Sequence, residues 1–152
     1  MKRFLMTLFL TLAISASCFA EGAAGRFSAE EKAADALIAA LTGDSVTYET
    51  VSKSFSQGLK KNLTAENFAK TKDAIKKQVG AIKNINFVIL NKQYDVQKGY
   101  SGVDELVYFG TISKEKFARI YVFFALENNA PKLNAFQVTP IEPKKPNAPE
   151  KK

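Results

Sequence analysis

The sequence contains no histidine, no tryptophan and a single cysteine among its 152 residues. Without histidine, the side chain most often used for proton transfer near neutral pH is missing. General acid–base work would then fall to Asp, Glu, Lys or Tyr with a displaced pKa. The lack of histidine, with only one cysteine, removes the usual ligands of zinc, copper and haem iron. No Asp-rich loop of the calcium-binding kind occurs either, so neither a metal nor a cofactor is expected. A lone cysteine cannot close an intramolecular disulfide, which leaves packing alone to hold the fold. Long apolar runs are scarce too: the longest, Phe4 to Ile14, is too short to span a bilayer comfortably as a permanent anchor.

That run follows Lys2 and Arg3 and leads into Ser15-Ala16-Ser17-Cys18-Phe19-Ala20. A charged start, an apolar middle and a small-residue end are the parts of a secretory signal peptide, so residues 1–20 are read as a leader cleaved after Ala20. An exported chain, periplasmic or extracellular, is the expectation. A lipoprotein acylated at Cys18 is the alternative, although Ser15 stands where a leucine is usual. The formal charge of +7, less the two of Lys2 and Arg3, leaves +5 on the mature chain. Lys60, Lys61, Lys70, Lys72, Lys76, Lys77 and Lys83 face only Glu66 and Asp73 in their region. They suit either an anionic envelope surface or an ordinary solvated helix face. With almost no arginine near its aromatics, an exported chain of this kind is not a nucleic-acid binder.

Residues 21–27 read as a flexible Gly-rich lead-in, residues 28–141 as one α+β domain, and residues 142–152, rich in Pro and Lys, as a disordered tail. Within the domain, Ser28 and Glu31 have the spacing of a capping box. They precede a helix to about Thr42 with Ala34, Leu37, Ile38 and Leu41 on its apolar stripe, stopped by Gly43. Tyr48, Val51, Phe55 and Leu59 indicate a broken helical stretch to about Lys61. Thr64 caps a third helix, about Ala65 to Val79, which buries Phe68, Ile75 and Val79 and ends at Gly80.

A strand over about Ile82 to Val96, a hairpin within Asp104–Leu126 and a last strand over Lys132–Thr139 complete a four-stranded antiparallel meander beneath the helices. With a turn at Ser113–Lys116, Ile112 pairs with Phe117. Val107, Phe109, Ile120 and Val122 then share one face, and Leu106, Tyr108, Arg119, Tyr121 and Phe123 the other. Phe68, Ile75, Phe109, Ile120, Val122 and Phe124 are expected in the core. Leu106, Tyr108, Tyr121 and Phe123, joined by Phe136 and Val138, would form a second apolar band available for a homodimer through the sheet.

Three stretches carry a family resemblance: Ala36-Leu37-Ile38-Ala39-Ala40-Leu41-Thr42-Gly43-Asp44, Phe55-Ser56-Gln57-Gly58-Leu59-Lys60-Lys61-Asn62-Leu63-Thr64, and Gln78-Val79-Gly80. With Leu133-Asn134-Ala135-Phe136 before Pro140, their order resembles that of small secreted bacterial domains of unknown function in the nuclear-transport-factor-2-like superfamily. The resemblance implies a cone-like α+β fold. Members of that superfamily include isomerases, dehydratases, transport adaptors and non-catalytic pocket proteins, and no catalytic residue carries over to this chain.

Asp95, Asp104, Glu105 and Glu127 read as carboxylates at strand ends, where exposure is normal, and no nucleophile dyad is visible. Tyr94, Tyr108, Arg119 and Tyr121 lie along adjacent strands. They either line a pocket for a small anionic or aromatic ligand, or extend the core to its rim with Arg119 paired to an acid such as Glu105. The expected function is an exported, non-catalytic module that binds a small ligand or a protein. A pocket enzyme of the lyase or isomerase type and an envelope-associated structural protein are the alternatives.

Overall fold

The computed structural model describes residues 23–142. The expected leader, and all of the expected tail except Glu142, lie outside the described residues. Helices come first, then strands: α1 (Ala23–Thr42), α2 (Tyr48–Val51), a 3-10 turn (Ser52–Ser54), α3 (Gln57–Asn62) and α4 (Ala65–Gln78) precede β1 (Lys83–Asp95), β2 (Gly99–Thr111), β3 (Phe117–Glu127) and β4 (Ala130–Ile141). The strands form one antiparallel sheet in the order β1-β2-β3-β4, a meander with helices on one face. This is an α+β architecture. No helix among the described residues is long and apolar enough to cross a membrane.

Helix α1 begins at Ala23, so the anticipated lead-in is helical from there on and Ser28 lies within the helix, exposed, instead of capping it. Two alanines open the helix cheaply. Arg26 and Phe27 then gain partners on the sheet: the Arg26 guanidinium lies 4.9 Å from the Tyr100 ring centre, and the Phe27 ring 5.5 Å from that of Phe87. The short helices follow the expected pattern more closely. Ser56 Oγ accepts from Leu59 N at 3.0 Å to cap α3, and Thr64 Oγ1 accepts from Asn67 N at 3.3 Å to cap α4. Gly80 stops the chain beyond α4 with φ +90°, a conformation open to glycine at little cost.

The hairpin register differs from the expectation by one residue. Ile112 N and Ser113 N both donate to Lys116 O, which draws Ile112 into the loop and pairs Thr111 with Phe117. A one-residue slip exchanges the two faces of a strand. Leu106, Tyr108, Ile120, Val122 and Phe124 therefore lie together beneath the helices, with Phe136 and Val138 of β4 alongside. Val107, Phe109, Arg119, Tyr121 and Phe123 occupy the outer face. Of the six residues expected in the core, Phe68, Ile120, Val122 and Phe124 are buried and Ile75 packs at the margin, while Phe109 is on the other side. The band expected to form a dimer is divided for the same reason, since Leu106 and Tyr108 are covered by helices.

Candidate functional site

The four residues singled out as ligand contacts do not converge. Tyr94 lies near the free end of the β1–β2 hairpin, 67% exposed, its ring 5.7 Å from that of Tyr100. Tyr108 is buried under α1, where burial, reinforced by the nearby Asp35 and Glu31, raises its phenol pKa. Arg119 and Tyr121 alone stay together, on the outer face.

There, alternate residues of β3 aim Arg119, Tyr121 and Phe123 to the same side. Arg119 Nη1 donates to Tyr121 Oη at 2.9 Å, and the guanidinium lies 5.0 Å from the Phe109 ring centre, its partner across β2. The Tyr121 and Phe123 rings stack at 6.2 Å with 15° between their planes. Together with Glu105, Gln137, Thr139 and Ile141, these side chains line a shallow depression of about 480 Å³. The anticipated pairing of Arg119 with Glu105 is not made, because Glu105 accepts from Asn91 Nδ2 at 2.9 Å. Arg119 forms no ion pair among the described residues, and its Nε–H is buried without an acceptor. A guanidinium fixed by an aromatic face and a phenol, without an ionic partner, has the chemistry to pair with an anion through its terminal nitrogens.

A second polar group lies on the helix side, around an acid that sequence reasoning missed. Glu30 and Asp104 are 1% and 0% exposed, one on α1 and the other in the middle of β2. The sequence places Asp104 at an exposed strand end, but β2 starts at Gly99, five positions upstream, and Asp104 is enclosed. Lys92 Nζ donates to Asp104 Oδ2 at 3.0 Å, and the Tyr100 ring centre lies 4.9 Å from the Arg26 guanidinium and 5.3 Å from Lys92 Nζ. Burial pushes the Glu30 carboxyl up to about 7, helped by the hydrogen bond and negative charge of Asp104 and opposed by Lys92 and Arg26. Asp104 moves the other way: burial raises it, but the adjacent Tyr100, Lys92 and Glu30 side chains, with Lys92 hydrogen-bonded to it, together outweigh that and hold it below the usual range. The Tyr100 phenol is pushed up to about 12, mostly by burial.

Glu30 Oε2 and Asp104 Oδ1 lack a donor when both groups are ionised. A proton on Glu30 supplies one, which is why the two acids settle at different affinities. Chemically this is an acid–base pair, yet both members are sealed from solvent, so no substrate reaches them. The spacing held a clue to Glu30: it continues the α1 stripe upstream, at positions 30, 34, 37 and 41, all buried. Of the other acids read at strand ends, Asp95 Oδ1 accepts from Gln97 N and Lys98 N in a turn, and Glu127 accepts from Gln57 N at the start of α3. No group of three or more acidic or cysteine side chains suited to a metal occurs among the described residues.

Comparison with protein-family models, with curated proteins and with solved structures finds no match.

Proposed function

We propose that this chain is an exported, non-catalytic binding module that takes a small anionic ligand with a flat ring on the outer face of its sheet. The observation that carries this reading is Arg119, whose guanidinium is held against Phe109 and Tyr121 without a carboxylate partner among the described residues. A carboxylate or phosphate would pair with its terminal nitrogens, and a ring beside it would lie along the Tyr121–Phe123 stack. Gln137 and Thr139 on β4 add polar groups at the rim. The volume of about 480 Å³ is of the size small-molecule sites occupy. Helices followed by a meander are also what the resemblance to the nuclear-transport-factor-2-like superfamily implied, and membership of it is part of the proposal. The leader-like start, residues 1–20, supports export.

The lyase or isomerase alternative has the weaker support. The buried acids among the described residues, Glu30 and Asp104, are enclosed, and Glu105 is the acid that lines the Arg119 depression. Benzoate is a suitable probe because it combines a carboxylate with a ring. Saturable binding followed by calorimetry, lost in Arg119→Met and weakened in Tyr121→Leu, is the expected result. Benzoate binding that survives Arg119→Met would place the ligand elsewhere.

A further inference from the structure

The two edges of the sheet are finished differently. On the β4 edge, Phe55 forms a parallel bridge with Leu133, Ser56 N donates to Leu133 O at 2.8 Å, and Ser56 Oγ donates to Asn134 Oδ1 at 3.0 Å. Pro131 and Pro140 interrupt that edge further, so β4 carries the usual protections against pairing. The β1 edge lacks these, although its register along β2 shifts at three places. Its principal packing partner is β2, it contains no proline, and one of its two lysines, Lys92, is turned inward to Asp104. The large apolar side chains left exposed among the described residues are Phe87, Val88, Ile89 and Tyr94, all on β1, and Val96 just beyond it. An edge strand of this length presents alternate N–H and C=O groups outward, where another strand can pair with them.

We propose that two copies of this chain pair antiparallel through β1, joining their four-stranded sheets into one continuous sheet. Charge selects a second copy as the occupant. β1 begins with Lys83 and ends with Asp95, so antiparallel pairing about Ile89 places Lys83 of one copy toward Asp95 of the other, twice. The same arrangement sets the run Phe87 to Leu90 beside its own counterpart and covers the exposed Val88 and Ile89.

The test uses the complete chain with Cys18→Ser, so that any introduced thiol is the only one in the sequence. Light scattering across a dilution series is expected to give the mass of a dimer that dissociates on dilution, and a monomer at every concentration overturns the proposal. Adding Ile89→Cys places the two thiols opposite each other across the axis, within disulfide reach. Mild oxidation should then yield a covalent dimer, whereas Ser113→Cys, on the exposed β2–β3 turn, should stay monomeric under the same conditions. Equal cross-linking of the two overturns the pairing. Lys83→Glu, at an exposed position, should weaken the dimer by on the order of tenfold through loss of two attractions and gain of two repulsions. A dimer unchanged by Lys83→Glu also overturns it.

Discussion

At the scale of single residues, the most consequential side chain is Glu30. Its folded pKa of about 7 exceeds the ordinary 4.5, so between those values the folded state holds a proton that the unfolded chain has released. Stability therefore falls as pH rises from about 4.5 to 7, by up to about 3 kcal/mol, and levels off above. Asp104, lowered from 3.8, acts in the opposite sense and withdraws stability as pH falls through and below that value. The groups facing Glu30 are Asp104, Lys92 and Arg26, with Tyr100 beside Asp104. In Glu30→Gln, which keeps the shape of the neutral acid and a donor for Asp104, the melting temperature should vary little across that window while that of the unaltered protein declines. Parallel curves for the two would remove Glu30 as the cause. Gly110 is the other informative residue: a Cβ there would stand 2.4 Å from Ile82 Cγ2 and 2.9 Å from Ile85 Cγ1, where β1 folds closely over β2. Gly110→Ala should cost roughly 1–3 kcal/mol by chemical denaturation, and Ile82→Ala in the same chain should recover part of it.

At the scale of elements, turns decide what the strands present. Glu127 pairs with Ala130 across a two-residue loop in which Asn128 and Asn129 have φ of 53° and 61°, the left-handed conformation that a type I′ turn requires. Asn129→Gly should raise stability by a few tenths of a kcal/mol, read from the denaturation midpoint, because glycine adopts that conformation with less strain. The β2–β3 loop shows what sequence leaves open. Element types were legible from periodicity, and so were the Ser/Thr-to-helix boundary at Thr64 and the stop at Gly80. Strand extents were close for β1, β3 and β4, but β2 begins at Gly99, five residues before the expected hairpin. The register was not, because strands with apolar residues at consecutive positions, such as Leu106 through Phe109 and Ile120 through Phe124, satisfy either face equally well. Two hydrogen bonds to Lys116 O fixed the choice, and no composition signal encodes them. The candidate site was partly legible for the same reason: Arg119 and Tyr121 share a strand face whatever the register, whereas Tyr108 belongs to a different strand and changed sides.

At the scale of the whole molecule, helices cover one face of the sheet and leave the other to its own side chains. The two faces should therefore respond differently to the same truncation. Phe124 is 1% exposed and packs with Leu37, Leu41, Phe55 and Val122 in the core cluster, while its neighbour Phe123 points outward to stack on Tyr121 and is half-buried. Phe124→Ala removes a ring from close-packed surroundings and should cost about 3–5 kcal/mol, a large share of the stability of a domain this size. Phe123→Ala should cost much less, since most of the vacated volume is open to water. If the depression around Arg119 holds an aromatic anion, Phe123→Ala should instead weaken benzoate binding while Phe124→Ala, in conditions where it remains folded, should not. Denaturation and calorimetry on the same two variants thus separate the face that builds the fold from the face that is free to bind. Equal destabilisation by the two substitutions would mean that the outer face is covered as fully as the inner one, and the binding surface proposed around Arg119 would be lost with that result.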